Sequence, residues 1–489
     1  MRIVIVGAGM VGTQLAKHLI QDKHDVSIIE ANEERARHAS NRLDCLVLHE
    51  EGNSIKALEE AGIAKADALV CVTGSDEVNM IICGLAASRY GRGTETAGLL
   101  KIARVRNDDY IHLSRSGDKQ VLGIDHFIHP NMEAARSMLN AIEHGAMGDI
   151  IAFSNTPYEL GSIDVAGGSA FDGLILKDYR SLVSAESLVT LVERGGEVLL
   201  PSGATVLAKG DRVHILANGD ALPGIFAFAG GTEKPIRKIG IVGGGKVGTL
   251  LAEGLFSKSG LSGDEGYIER QPEKRNFLFP LLKTLIPKSS RRVVIIEQDY
   301  RLCKDLAARF PEALVLNEDI SDESFVNEEQ LDDLDLLVTS TNNQELNIIT
   351  AIYLKSRGIA RTIAMVTGSG YAAMARRLGV DVVIPMKMVV VDSILSCLMG
   401  SGVKEVHRIG DGSVDIIEAE IARDAPVVNM PISEFKLSAG GLLMLVNRKG
   451  RSFIPKGDYV FSEGDQIVLV AKSGSQAEIE KYFGEKDTE

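Results

Sequence analysis

Short apolar runs alternate with amphipathic stretches along the first 130 residues of the chain. The apolar runs predict strands near residues 2–6, 26–30, 45–48, 67–72, 100–104 and 124–128. Between them, apolar residues three and four positions apart predict helices, for example over 10–21, 54–61 and 76–90. Buried strands that alternate with helices are typical of an α/β fold with a doubly wound parallel sheet.

This pattern occurs twice in the chain. The stretch "IVIVGAGMVGTQLAKHL" (3–19) returns as "IGIVGGGKVGTLLAEGL" (239–255). A different pattern follows each copy, in which "LVERGGEVLLPSGATVLAKGDRVHILA" (191–217) aligns without a gap with "LVNRKGRSFIPKGDYVFSEGDQIVLVA" (445–471). Short alternating strands with Gly, Pro and Asp at the turns predict a small β-rich α+β domain. The chain is therefore predicted to be a tandem of two such pairs.

The repeat also predicts the domain boundaries. They are a first α/β domain at 1–130, a crossover helix at 131–145, a first β-rich domain at 146–228, a linker at 229–238, a second α/β domain at 239–386 with an insertion at 257–292, a second crossover helix at 387–400 and a second β-rich domain at 401–489. Apolar residues form one stripe along the first crossover helix, from Met132 to Ile142. That stripe packs either on its own domain or against the partner copy, within or between chains.

The glycine-rich turn of the first copy carries the clearest chemical signal. "GAGMVG" follows a predicted strand and opens a predicted helix, which is the context of a dinucleotide-binding turn. Gly7 allows the tight turn, Gly9 lets the backbone approach a pyrophosphate, and Gly12 lets the helix pack on the strand. The N-terminus of the helix attracts the phosphates. The predicted residues of this turn are Gly7, Ala8, Gly9, Met10, Val11 and Gly12.

Further candidates lie at the carboxyl ends of the predicted strands, where open α/β sheets bind ligands. They are Glu30, Glu51, Thr73, Gly74 and Arg104. A carboxylate at Glu30 accepts hydrogen bonds from ribose hydroxyls and repels a 2′-phosphate, which favours NAD or an adenine nucleotide over NADP. Arg104 is predicted either to pair with phosphate or to form a structural salt bridge.

The second copy keeps the turn but changes its surroundings. Its candidate residues are Gly243, Gly244, Gly245, Lys246, Val247, Glu297 and Thr339. Met365 stands where the first copy has Arg104, and the insertion at 257–292 separates the turn from Glu297. We therefore expect the two copies to bind different nucleotides, or one nucleotide with different affinities.

Composition excludes several classes of function. A net charge of −14 disfavours a nucleic-acid partner. The five cysteines show no metal or disulfide spacing, which indicates a reducing compartment and no metal site. No apolar run is long enough to span a membrane, and the glycine-rich start does not have the pattern of a signal peptide.

The aligned parts of the two halves share no His, Lys, Ser or Cys arrangement suited to catalysis. This favours a nucleotide sensor without catalytic residues. An NAD-dependent oxidoreductase is the alternative.

Four features of the chain together resemble the potassium-conductance-regulating family (RCK, also called KTN). They are the tandem order, the stretch "IVIVGAGMVGTQLAKHL", the stretch "VTGSDEVNM" with "IARVR", and the "P…GD" pattern of the β-rich units. The resemblance covers the chain except for the insertion. It implies two Rossmann-like N-lobes that bind NAD/NADH and ATP or ADP, each followed by a C-lobe. It also implies a cytoplasmic homotetrameric ring on a membrane-embedded, potassium-translocating subunit of the TrkH/TrkG type. Regulation of a different cation transporter is a second alternative.

Overall fold

A computed structural model provides the coordinates. It describes residues 1–90, 98–110, 121–143, 145–146, 150–153, 155–230, 236–257, 291–322, 331–398, 403–409, 413–438 and 440–484. Almost all of the predicted insertion (257–292) and half of the predicted linker (229–238) lie outside these residues. None of the helices in the described ranges is long and apolar enough to cross a membrane.

The described residues up to Ile128 form a Rossmann-type α/β domain. Its strands are β1 (Arg2–Val6), β2 (Asp25–Glu30), β3 (Leu46–His49), β4 (Ala68–Cys71), β5 (Leu100–Arg104) and β6 (His126–Ile128), and its helices include α1 (Met10–Gln21), α2 (Glu33–Ser40), α3 (Ile55–Glu60) and α4 (Asp76–Tyr90). The strands are parallel in the order β3-β2-β1-β4-β5-β6. This order reverses direction beside β1, at the point where doubly wound sheets bind ligands.

The apolar runs form the strands because both faces of this sheet are covered. Ile3, Val4 and Ile5 on β1 are all fully buried. In an antiparallel sheet with one wet face, every second residue would be exposed. Each predicted strand end lies within two residues of the observed one.

The second copy repeats this architecture. Its strands are β12 (Lys238–Val242), β13 (Arg292–Glu297), β14 (Leu314–Asn317), β15 (Leu336–Thr339), β16 (Arg361–Val366) and β17 (Val382–Pro385), in the parallel order β14-β13-β12-β15-β16-β17. Its helices include α8 (Lys246–Phe256), α9 (Tyr300–Arg309), α10 (Gln344–Ser356), α11 (Ser369–Arg377) and α12 (Met386–Leu398). The predicted doubling of the α/β fold is confirmed.

A small antiparallel sheet follows each α/β domain, as predicted. The first contains β7 (Ile150–Ala152), β8 (Tyr158–Asp164), β9 (Ser187–Arg194), β10 (Glu197–Leu199) and β11 (Arg212–Asn218), with α6 (Tyr179–Leu182) and α7 (Leu222–Phe228). The second contains β18 (Val403–Ile409), β19 (Val414–Glu420), β20 (Gly441–Arg448), β21 (Arg451–Phe453) and β22 (Gln466–Lys472), with α13 (Gln476–Phe483). We call these the first and second C-lobes.

The repeated Gly-Asp pair of the C-lobes has a structural role. Asp211 and Asp465 are almost fully buried, and each accepts two hydrogen bonds from an arginine, Arg194 and Arg448 respectively. The shorter of the two bonds is 2.6 Å in both lobes. The bidentate pair closes the turn before the last strand.

The two C-lobes share one apolar core. Leu160 and Leu191 of the first lobe lie in the same buried cluster as Ile416 and Met444 of the second. Both lobes belong to one compact unit, which contains Met1–Ile128, Ile150–Gly231 and Val390–Glu489. A second compact unit contains His129–Asp149 and Thr232–Val389.

The first crossover helix, α5 (Pro130–Glu143), packs against α8 of the second α/β domain. Its stripe supplies Ala135, Met138 and Leu139 to the core of that domain. The contact is close because Gly254 has no side chain: a Cβ built there lies 2.1 Å from Leu139 Cδ1. Of the two interpretations of the stripe, the structure shows packing against the other copy.

The contact between Gly254 and Leu139 gives a stability prediction. Gly254→Ala crowds Leu139 and should lower the stability of this unit by about 1–3 kcal/mol. Leu139→Ala leaves a cavity and costs about 2–5 kcal/mol. Because the shorter side chain makes room for the new methyl group, the double variant should cost less than the sum. Thermal unfolding of the four proteins measures the coupling, and additive effects would contradict the contact.

Candidate nucleotide-binding site

Two glycines of the first turn are required by the chain itself. Gly7 adopts φ 108°, which favours glycine, and a Cβ at Gly12 would lie 1.9 Å from the Gly7 carbonyl oxygen. Gly9 differs, because its φ of −67° suits any residue and a Cβ there meets nothing within 4 Å. The turn is therefore closed on its protein side and open above Gly9, where a ligand could approach.

The second turn has the same shape. Gly243 has φ 98°, a Cβ at Gly248 would lie 2.0 Å from the Gly243 oxygen, and a Cβ at Gly245 meets nothing within 4 Å. In both copies the N-cap residue is a glycine, so no side chain caps the first helical turn. Backbone N–H groups in this position bind phosphate.

Glu30 and Glu297 fasten the ends of β2 and β13 to the glycine turns. Glu30 Oε2 accepts a hydrogen bond from the Ala8 N–H at 2.5 Å, and its Oε1 accepts one from Asn32 N–H at 2.9 Å. Glu297 does the same with Gly244 at 2.8 Å and Asp299 at 2.9 Å. The sequence did not reveal this structural role. Each carboxylate oxygen keeps a further lone pair for a ribose hydroxyl.

Arg104 lies at the end of β5 and reaches the loop after β4. Its Nη2 donates a hydrogen bond to the Thr73 carbonyl at 2.7 Å. The Asn79 amide donates to the Arg104 carbonyl at 2.8 Å and accepts from the Thr73 N–H at 2.9 Å. Burial, with a smaller contribution from Arg106, lowers the pKa of the Arg104 guanidinium. Among the described residues its buried Nε has no hydrogen-bond partner, which fits a site that takes an anion.

Arg106 is a site residue that the sequence analysis missed. Its guanidinium lies 3.3 Å from Asp76 and donates to the Gly74 carbonyl. Asp76 in turn accepts the backbone N–H groups of Arg106 and Asn107 at 2.8 and 2.9 Å. The sequence does contain a signal for Arg106, because it follows Arg104 by two positions. In an extended chain this spacing places both side chains on the same side. Two guanidinium groups thus flank the loop at Gly74.

The second copy keeps these contacts without their charges. The Gln344 side chain accepts the Thr367 N–H at 3.0 Å, as Asp76 accepts the Arg106 N–H. Asn347 donates to the Met365 carbonyl at 2.9 Å, as Asn79 does to Arg104. Met365 therefore stands in place of Arg104, Gln344 in place of Asp76, and Thr367 in place of Arg106. The two loops have the same geometry and different electrostatics.

The structure corrects the position of the threonine in the second copy. Thr339 is fully buried, and its hydroxyl donates to the Asn347 carbonyl at 3.0 Å. Thr341 instead has the contacts of Thr73, since its N–H and its hydroxyl both donate to Asn347 Oδ1, at 3.0 and 2.6 Å. Thr339 ends a strand inside the sheet, and the loop begins two residues later.

The other predicted residues differ in exposure. Met10 and Lys246 are exposed at the helix starts, whereas Val11 and Val247 are buried beneath the turns. Glu51 is exposed in the loop after β3. The structure thus brings the glycine turn, Glu30, the loop at Thr73 and Gly74, and both arginines to one edge of the first sheet.

The fold and the two turns define a class of protein: a tandem of Rossmann-type domains, each followed by a β-rich domain. The TrkA-N domain family matches residues 3–130 and 276–385, and the TrkA-C domain family matches residues 160–230 and 416–484. The chain therefore belongs to the family built from TrkA-N and TrkA-C domains.

Two curated relatives match over nearly the whole length. The Trk system potassium uptake protein TrkA homolog 1 of Methanosarcina mazei is 28% identical, covering 99% of this chain and 100% of the relative. The Trk system potassium uptake protein TrkA of Azorhizobium caulinodans is 27% identical, covering 99% of this chain and 98% of the relative.

Solved structures share the fold. The GsuK channel bound to NAD is 16% identical with a TM-score of 0.52, covering 99% of this chain and 78% of that one. The GsuK RCK domain is 15% identical with a TM-score of 0.52, covering 99% and 94%. The resemblance to the RCK fold is confirmed.

The different environments of Gly9 and Gly12 give a testable contrast. Gly12→Ala forces a methyl group into a backbone oxygen and should cost about 3 kcal/mol, at the upper end of the usual range for overpacking. Gly9→Ala meets open space and should cost at most about 1 kcal/mol, since it replaces an N-cap glycine. Thermal unfolding of both variants checks this. Equal losses would contradict the division between glycines that the chain needs and a glycine that faces a ligand.

Proposed function

We propose that this chain is a non-catalytic regulatory subunit of a Trk-type potassium uptake system and that nucleotide binding controls its activity. One observation carries the proposal: the first copy joins an open glycine turn to two arginines, Arg104 and Arg106, at the same sheet edge. Support comes from the relatives, which are named potassium uptake proteins and match from end to end.

NAD/NADH, or ATP and ADP, fit the residues at this edge. The N–H groups of the first turn of α1 would hold the phosphates, with Arg104 completing their charge. Glu30 would accept the adenine-ribose hydroxyls, and its negative charge would repel the extra phosphate of NADP. The GsuK channel, which shares the fold, was solved with NAD.

The nucleotide would act through the loop at 73–76. In this structure Arg104 donates to the Thr73 carbonyl, while Asn79 joins the same loop to β5. A phosphate competes with that carbonyl for the guanidinium, because charge-assisted hydrogen bonds are the stronger ones. A nucleotide with a different phosphate count would leave the loop in a different arrangement, and differential affinity for two arrangements is what regulation requires.

The second copy would respond differently. Met365 and Thr367 provide no positive charge where the first copy has two arginines. Phosphate binding there depends on the helix N-terminus and the exposed Lys246, so we expect weaker binding of polyphosphates.

The proposed partner is a potassium-translocating membrane subunit of the TrkH/TrkG type, with the regulatory chain on its cytoplasmic face as a tetrameric ring. Exposed apolar side chains occur at matching helical positions of the two α/β domains. Ile81 and Leu122 in the first domain are about half exposed; in the second domain Leu378 is about half exposed and Ile349 is 64% exposed. Ile81 and Leu122 line one apolar groove on the first α/β domain. This groove is suited to pack against another copy of the chain.

Potassium flux through vesicles that contain the chain and its membrane partner tests the regulatory role. ATP, ADP or NADH should change the flux. Arg104→Met should raise the nucleotide concentration for half-maximal effect about 10- to 100-fold, since a hydrogen bond to a charged group contributes about 1.5–3 kcal/mol. Arg42→Met, at an exposed position, is the control. Flux without nucleotide dependence would contradict the proposal, and substrate-linked oxidation of NADH would favour an oxidoreductase.

The proposed ring makes a separate prediction. Ile81→Glu or Ile349→Glu places a charge on the exposed apolar surface of one α/β domain and should convert tetramers into smaller species. Leu46→Glu, at another half-exposed apolar position on β3, should leave the tetramer intact. Light scattering of the purified proteins measures the mass. A ring that survives both substitutions would exclude this face as the subunit contact.

A further inference from the structure

The far end of α1 meets the second C-lobe. Asp22, the C-cap of α1, accepts a hydrogen bond from the backbone N–H of Gly474, in the turn between β22 and α13. Gly474 adopts φ 88°, and a Cβ there would lie 3.3 Å from the Gln21 carbonyl oxygen. The turn therefore lies directly on the end of the helix.

This contact buries two carboxyl groups from different domains. Asp22 is 4% exposed and Asp415, on β19, is 2% exposed. Asp415 Oδ1 accepts the Ser473 hydroxyl at 2.8 Å, so the same turn contacts both acids. The charged groups that act on Asp22 across the contact are Asp415 and Glu480 of α13, which are also acids. On α1 itself, His18 is buried one turn earlier.

A buried carboxyl group near a second acid favours its protonated form, because burial and the neighbouring negative charge both disfavour ionisation. Burial, and secondly the charge of Asp415, raises the pKa of Asp22 to about 7. In an opened contact the carboxyl group meets water and returns to its ordinary pKa of 3.8. The closed contact therefore binds the proton more tightly than the open one, and its stability falls as pH rises from about 4 to about 7.

We propose that the contact of α1 with the second C-lobe is a proton-linked latch. The closed latch holds one proton on Asp22, and loss of that proton weakens the contact. The latch itself does not require nucleotide. Because α1 begins at the glycine turn, the latch would also link pH to nucleotide affinity, a consequence that rests on the proposed function.

Hydrogen exchange of the full chain, without nucleotide, tests the latch. The amides of residues 18–22 and 472–475 are followed at pH 6.0 and pH 8.5 and corrected for intrinsic exchange rates. A pKa of about 7 predicts about tenfold greater protection at pH 6.0. Asp22→Asn, which is neutral at both values, should abolish the difference. Asp44→Asn, at an exposed position, should retain it.

A second variant keeps the test decisive if Asp22→Asn disturbs folding. Asp415→Asn removes the neighbouring charge and should move the midpoint of the pH dependence to lower pH. Equal protection of the wild type at both pH values would overturn the latch. So would an unchanged pH dependence in both variants. If the contact responds to pH but nucleotide affinity does not, the latch is supported and its link to the nucleotide site is excluded.

Discussion

The close approach of α1 to β1 is the constraint on which the first half of the molecule depends. The Gly12 Cα lies so near the Gly7 carbonyl that a methyl group has no room. This approach aims the N-terminus of the helix at the switch point of the sheet, where the strand order reverses. It also fixes where the other end of α1 lies, at the turn of the second C-lobe. One tight packing contact thus sets both ends of the same helix.

The two copies show how a repeat can diverge without changing shape. Asn79 and Asn347 hold equivalent loops with equivalent hydrogen bonds, so the backbone of each site is independent of its charges. Arg104 and Arg106 add positive charge in the first copy only. Since phosphate binding depends strongly on charge and geometry together, a few substitutions would be enough to change the ligand preference of one copy.

Local patterns predicted most of the fold and the turn at the centre of the candidate site. Buried apolar runs marked the strands, and the glycine spacing together with Glu30 marked the turn, because each of these requirements acts within a few neighbouring residues. The remainder depends on contacts between distant parts of the chain. Arg106 joins the site through the loop at Asp76, and Asp22 becomes notable because of the charge of Asp415. Thr339 illustrates the same limit, since the residue that ends a strand and the residue that starts its loop look alike in sequence.

The proposed function makes the first copy the high-affinity nucleotide site, distinguished from the second copy by its charge. Calorimetric titration of the full chain with ATP, ADP and NADH, using Gly9→Ala and Gly245→Ala, tests this assignment. Both substitutions are at open positions, so neither should disturb the fold. We expect Gly9→Ala to remove the tight binding and Gly245→Ala to retain it. Identical binding by the two variants would show that the two copies do not differ in this way.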